Sequence, residues 1–347
     1  MSTSDSTARR GFALPAVLAV TGVVTLIFLV AITALASLTA EAASARARVR
    51  FLQRAMTAEA ALAFMAATEP TRAYGFGIND VRGSMDFDYE GEPTGASGVP
   101  VEKIIADSRR YLMDIDGPLV LRLQDQAGMI NTAQLFGQEH ERFLEAAGVE
   151  PSERQALIAR YQDYIDHDDL RQPNGAERAD YDTGGPANRR LIRPTEWLSV
   201  LGARQAADAK AWRRLRPHLA ADPTASSLNM NTASPVTLAV WFGLTENQSE
   251  ALIRAREQHS LTSLIDAGNI AGASLYDDFE RLYTYPSGVT ILMLHDTRSA
   301  WTYRARLTLT PTGLEQPLWI DQTELTEAPR RAVADTSDAI RFPYAPR

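Results

Sequence analysis

The chain has 347 residues, enough for two or three domains, and its 45% hydrophobic and 22% charged content is globular rather than disordered. The absence of cysteine excludes disulfides, thiolate nucleophiles and cysteine-ligated zinc or iron–sulfur centres, and says nothing of redox compartment. With 35 basic against 43 acidic residues the formal charge is −8, which argues against coating nucleic acid by bulk electrostatics.

The usual catalytic patterns are missing. Neither lysine, Lys103 or Lys210, follows a glycine, so there is no phosphate loop ending in Gly-Lys. His140-Glu141 meets Leu144 one turn on, which rules out a zinc-protease helix, and no Gly-x-Ser-x-Gly elbow occurs. The histidines at 140, 167, 218, 259 and 295 are scattered and suggest no metal or proton-relay cluster. The chain does not read as an enzyme.

In chain order, a basic leader ends in Arg9-Arg10-Gly11, and Phe12 to Ala40 carries no charge. That run is long enough to span a bilayer, which needs about 20 residues, and too long for a secretory signal core. Pro15 falls in the first turn, where its missing N–H costs little. Arginines crowd both ends, so charge alone does not orient the segment. Phe51, Ala55, Ala58, Leu62 and Met65 continue a helical stripe until Pro70 stops it. One helix from Phe12 to Thr68 would be about 85 Å long; the alternative is two helices broken near Ala40–Ser44.

Gly75 to Pro100 reads as a long loop or surface insertion. Residues 119–123 form a short strand, and 289–294, 301–309 and 318–320 supply further strands, the second alternating cleanly between apolar and polar residues. Helices lie between them. Leu157, Ile158, Tyr161, Tyr164 and Ile165 share one helical face, with Ser152 as the expected N-cap. Asn131-Thr132-Ala133 recurs as Asn231-Thr232-Ala233, each time ahead of a helical segment that Asn or Thr could cap. Ser234-Pro235 fits a helix start, and Thr245 with Gln248 makes a capping box. The expected fold class is α+β: a long N-terminal helix packed on a small antiparallel sheet. A large all-α insertion would hold two small subdomains of sterile-alpha-motif or helix-hairpin-helix type.

Asp163, Asp166, Asp168, Asp169, Glu177, Asp180 and Asp182 place seven carboxylates within twenty residues, the first two at a helix C-terminus whose dipole disfavours them. Such crowding calls for full solvation or a cation. Calcium, with six to eight oxygen ligands, fits a loop such as Pro173-Asn174-Gly175. Asp166, Asp168, Glu177 and Asp180 lead the ligand candidates, with Asp163 and Asp169 as ligands or solvent-facing groups. A paired-carboxylate hydrolase is the enzymatic alternative, and carboxylates this dense suit an ion better.

The junction Arg9-Arg10-Gly11-Phe12-Ala13-Leu14 resembles the class III leader of type IV pilins and type II secretion pseudopilins. The resemblance implies cleavage after Gly11 by the prepilin peptidase and methylation of Phe12. Most members carry glutamate at the fifth mature position, where this chain has Ala16; the member that lacks it is the tip subunit, minor pseudopilin K. Tyr161 to Asp169, Gly175-Ala176-Glu177, Tyr181, Thr195-Glu196-Trp197-Leu198, Gly202 and Asn229 to Ala233 are similar to successive motifs of that GspK family.

What the resemblance implies is a minor pseudopilin at the tip of the type II secretion pseudopilus, acting in its assembly and in protein export. The protein would be anchored once in the inner membrane with a periplasmic body, and would bind one or two calcium ions. Its partners would be I- and J-type minor pseudopilins, the inner-membrane secretion platform and exported cargo, with no nucleic acid. The matching domain plan is leader 1–11, membrane helix 12–40, remaining helix with loop and first strand 41–130, helical subdomains 131–225 and 226–284, C-terminal strands 285–323 and tail 324–347. The alternative function is a membrane-anchored DNA receptor. Asn231-Thr232-Ala233, Gly243-Leu244-Thr245 and Arg254-Ala255-Arg256 resemble a helix-hairpin-helix, although Thr245 stands where a second glycine belongs. Arg254 and Arg256 read as surface residues.

Overall fold

A computed structural model describes residues 13–79, 101–223, 228–275, 286–298, 300–310, 316–327 and 336–344, so Gly11 and Phe12 lie outside the described residues. The chain divides into one unit ending at Arg54 and a second beginning at Ala55.

Helix α1 (Ala13–Thr68) is unbroken, with no interruption at Ala40–Ser44. In the first unit its apolar side chains from Leu14 to Leu38 are exposed, Ala16 among the exposed positions. The hydroxyls of Thr21, Thr25 and Thr33 donate to the carbonyls of Val17, Thr21 and Leu29 at 2.8, 2.8 and 3.0 Å. Polar side chains are thereby satisfied within the helix, as an apolar surrounding requires. The helix is long and apolar enough to cross a membrane.

In the second unit the last turns of α1 bury Ala55, Ala58, Leu62 and Met65, one face at helical spacing. The principal sheet has six strands: β4 (Tyr111–Asp114), β5 (Pro118–Asp125), β8 (Val289–Asp296), β9 (Trp301–Leu309), β10 (Leu318–Glu327) and β11 (Ile340–Arg341), in the order β10-β9-β8-β5-β4-β11. All neighbours are antiparallel except β11 with β4. Period-2 alternation sends Leu119, Leu121, Leu123, Leu292, Leu294, Tyr303, Ala305 and Leu307 to one buried face. Tyr303 donates to the carboxylate of Glu59, tying that face to the helix. Each leucine so buried contributes about 1.5–3 kcal/mol.

Strands β1 (Thr71–Arg72), β2 (Gly75–Ile78) and β3 (Glu102–Ile105) make a small antiparallel sheet. The expected loop from Gly75 therefore begins as a strand, and residues 80–100 lie outside the described residues. Gly75 has φ +139°, and a Cβ there would sit 2.3 Å from the carbonyl oxygen of Ile104. Only glycine lets the strands meet at that point. Among the described residues five strands thus precede residue 130, where the sequence pattern reveals one.

Strands β5 and β8 are hydrogen-bonded neighbours separated in sequence by everything between Asp125 and Val289, which is the helical insertion. It holds α2 (Gly137–Ala146), α3 (Pro151–Ile165), α4 (Ala203–Ala206), α5 (Ala209–Leu215), α6 (Pro235–Phe242), α7 (Glu246–Gln258) and α8 (Leu264–Ala271). A parallel pair, β6 (Ile130–Asn131) and β7 (Leu219–Ala220), closes the first part. One core gathers Phe143, Tyr161, Trp197 and Trp212, the two indoles stacked at 5.4 Å; a second gathers Met230, Leu238, Trp241 and Leu252. Val240 of α6 packs into the first core, so the two parts share a helix.

Helix α3 starts from Glu150 with Pro151 in its first turn, so Ser152 lies inside the helix rather than capping it. The capping box of Thr245 and Gln248 forms, as does the Ser234 cap ahead of Pro235. The repeated triplets do a different job from the expected capping. Asn131 donates to the carbonyl of Asp222 and accepts from its N–H, at 2.9 Å each. Asn231 holds Leu261 in the same way, at 3.0 and 2.7 Å. A carboxamide carries one donor and one acceptor side by side like a peptide group, so each asparagine acts as one residue of strand pairing.

Candidate metal centre

Helix α3 ends at Ile165, and the chain turns back across its last turn. Asn174 has φ 65°, and the N–H of Gly175 donates to the carbonyl of Gln172 at 2.9 Å, forming a tight turn. A Cβ on Gly175 would stand 1.9 Å from Oδ2 of Asp163, so glycine is what allows the loop to lie over that carboxylate. The N–H of Gln172 donates to both oxygens of Asp163 at 3.2 and 3.3 Å. Behind the loop, the N–H groups of Ala187 and Asn188 bond the carbonyl of Tyr164 at 3.0 and 3.1 Å. Tyr161 donates to the carbonyl of Thr132 at 2.8 Å, joining this motif to the first repeated triplet.

The folded loop brings Asp163, Asp166 and Glu177 together, with one oxygen of each within 4.8 Å of the others. Asp163 is fully buried and Glu177 is 7% exposed. Of the two readings open for Asp163, ligand or solvent-facing group, its burial under the Gln172–Gly175 turn removes the second. Both Glu177 oxygens and Oδ1 of Asp166 are buried without a hydrogen-bond partner among the described residues. Burial, and then the neighbouring carboxylates, push both groups above their ordinary values: Asp168 and Asp163 act on Asp166, and Asp163 and Asp166 act foremost on Glu177.

The other sequence candidates stand outside this group. Asp180 accepts from the N–H of Glu177 at 2.9 Å and pairs with Arg171 at 3.2 Å, so its oxygens are already engaged. Asp168 accepts from the N–H of Leu170 at 2.8 Å and is exposed, as is Asp169. Spacing alone did not separate these three from the converging three, because the turn at Gly175 selects among them.

Chemically the donor set is hard oxygen, and orphaned buried carboxylates are what a cation would satisfy. Two oxygens each about 2.4 Å from a shared calcium lie no more than about 4.8 Å apart. Asp163, Asp166 and Glu177 meet that test, with further oxygens available from both arms of each carboxylate.

The helix-hairpin-helix reading meets a correction nearby. Arg254 is exposed and pairs with Glu250 at 3.4 Å, whereas the Arg256 side chain is only 6% exposed. Arg256 donates to the carbonyls of Met230 and Ala233 at 2.8 and 2.6 Å and pairs with Asp107 at 3.3 Å. A guanidinium committed to three internal acceptors is not available to a phosphate.

Residues 121–224 match the family model described as type II secretion system (T2SS), protein K. A type II secretion system protein K of Pseudomonas aeruginosa is 30% identical over 166 residues, covering 45% of this chain and 50% of that one. The protein of the same name from Pectobacterium carotovorum is 32% identical over 131 residues, 35% of this chain and 39% of the other. The matched stretches thus span half or less of these relatives' own length. In fold, the chain is similar to a chain of the crystallised GspK-GspI-GspJ complex of enterotoxigenic Escherichia coli. The TM-score is 0.51 at 14% identity, covering 82% of this chain and 99% of that one.

Proposed function

We propose, on the premise that the chain belongs to the type II secretion system protein K family through its residues 121–224, that it is a minor pseudopilin seated at the tip of the pseudopilus. There it acts in pseudopilus assembly and in protein export across the outer membrane. The observation that carries this reading is the large helical body inserted between the paired strands β5 and β8, on a chain whose N-terminal helix is apolar for a membrane's width. Such bulk beside the sheet obstructs a subunit above, and Ala16 leaves no carboxylate to neutralise the amine of a subunit ahead. Both features suit a subunit that begins a filament.

The protein is held in the inner membrane by α1, with the second unit in the periplasm. Its I- and J-type partners are proposed by analogy with the complex in which the similar fold occurs, where GspK is joined to GspI and GspJ. Prepilin peptidase, the secretion platform and cargo are the further expected contacts. One calcium ion is held by Asp163, Asp166 and Glu177, where it neutralises three clustered carboxylates and locks the loop of residues 166–177 onto α3. The role is structural, with no catalytic step assigned.

The full chain co-expressed with I- and J-type minor pseudopilins should co-purify with both from detergent-extracted membranes. Recovery of the chain alone, or repeated copies of it along the shaft, would overturn the tip assignment. Intact-mass analysis of the membrane-extracted protein should show loss of Met1–Gly11 and one methyl group on Phe12. An uncleaved chain retires the leader reading.

A further inference from the structure

The second face of the six-stranded sheet carries charges that the proposed role does not use. Cross-strand register places Arg122 of β5, Met293 of β8 and Arg304 of β9 in one row, and Val120, His295 and Thr302 in the next. The insertion covers one end of this face, where Met129 and Ala220 pack on Ile291 and Met293. From that wall Arg216 reaches the electrostatic surroundings of Arg304.

These cations are poorly compensated. Arg122 has no ion pair among the described residues, and its Nε is buried without a hydrogen-bond partner. Arg304 has Glu324 as its cross-strand neighbour on β10 and makes no ion pair among the described residues. The contrast with the next row is clear, since Arg306 there is paired with Asp222 at 3.0 Å and Asp321 at 3.7 Å. His295 accepts or donates to Thr302 at 3.1 Å, and burial together with Arg122 and Arg110 holds it down to about 4, so it is neutral here. Burial and Arg110 likewise depress Arg122, and burial and Arg216 depress Arg304.

Half-buried guanidiniums without counter-ions are costly, and a carboxylate supplied from outside relieves that cost. We infer that the Arg122–Met293–Arg304 row, bordered by the insertion at Ile291 and Met293, docks an acidic amphipathic helix of a partner protein. Arg122 and Arg304 lie two strand spacings apart, about 10 Å. On a helix, residues i and i+7 lie on one face about 10.5 Å apart, with i+3 and i+4 between them. Glutamates at i and i+7 meet the two arginines, and an apolar residue between them meets Met293. A bilayer or a duplex carries its phosphates on a broad surface and would engage protruding cations, not half-buried ones such as Arg122 and Arg304. This inference stands apart from the secretion reading.

The test titrates the full chain in detergent with a fluorescent helical peptide carrying Glu at i and i+7 and Leu at i+3 and i+4. Controls are the same peptide with both Glu changed to Gln, inorganic phosphate, and phosphatidylglycerol vesicles. The Glu peptide should bind and the Gln peptide should not. Arg122→Gln and Arg304→Gln should each weaken binding about tenfold or more, as expected for a charge-assisted hydrogen bond, while Arg254→Gln changes nothing. Neither row variant should melt below the wild type, because each removes an uncompensated cation; Arg122→Lys, which keeps the charge, should retain most of the binding. Equal binding of the two peptides, or indifference to both row variants, overturns the inference. So does binding of phosphate or vesicles that depends on Arg122 and Arg304 in place of peptide binding.

Discussion

Removing calcium from the full chain is expected to lower the melting temperature of its second unit by about 5 °C or more at pH 7. A ligand that binds only the folded state stabilises it by about 2.7 kcal/mol at a hundredfold excess over its Kd, and each kcal/mol moves the midpoint by about 2–4 °C for a domain of this size. The effect has a pH signature of its own. Without the ion, Asp166 and Glu177 are raised in the folded state above their ordinary values of 3.8 and 4.5. The folded state then binds more protons than the unfolded state, so the ion-free protein loses stability as pH rises from those values through the folded ones. Calcium replaces the protons and cancels that loss. The gap between calcium and chelator should therefore be wide at pH 7 and closed near pH 4. Asp163→Asn should close it at every pH, since it removes a buried ligand while keeping the hydrogen bond from Gln172. Scanning calorimetry checks this; a gap that is absent at pH 7, or unchanged in the variant, eliminates the metal centre.

Much of the architecture was legible because it rests on long, periodic signals. An uncharged run to Ala40 and a stripe at 55, 58, 62 and 65 mark the helix and leave open only a break near Ala40–Ser44, and strict alternation from Trp301 to Leu309 marks a strand. Strands β1 to β4 have two to four residues each, too few for a period-2 pattern, and Gly75 reads as a turn until its partner strand is seen. Within the site, spacing left Asp163 open as a ligand or a solvent-facing group. It lies two residues, hence about 200°, from Tyr161 on α3, on the side opposite the apolar face. It is buried because the following loop folds over that second side, a tertiary event with Gly175 as its local trace. The asparagine triplets were visible as a repeat, but Asp222 and Leu261, the backbones they hold, lie 91 and 30 residues away. Arg256 illustrates the reverse error, since a basic residue near a hairpin looks exposed until Asp107 is found beside it.

His140 reads as one of five unrelated histidines, yet the structure places it in the first helical core, 1% exposed, with its ring edge-to-face to Tyr161 at 4.7 Å. Neither ring nitrogen has a hydrogen-bond partner among the described residues. Burial alone pushes its pKa down from 6.5 to about 3. An imidazole held neutral in the fold binds its proton only after unfolding, so the unfolded state carries more protons below pH 6.5. Stability contributed by the neutral form is thus full above pH 6.5 and falls on acidification by about 1.4 kcal/mol per pH unit. By pH 3 the loss reaches about 5 kcal/mol, a large share of the stability of an ordinary domain. His140→Leu is expected to remove this slope, and to stabilise the protein by about 1–3 kcal/mol at pH 7 by eliminating two unsatisfied polar atoms. Urea unfolding of wild type and variant between pH 7 and 4 should give curves that diverge steadily toward acid; the carboxylate site titrates alike in both and cancels in their difference. Parallel curves would mean that the imidazole is hydrated or paired in the fold, and that the acid sensitivity resides elsewhere.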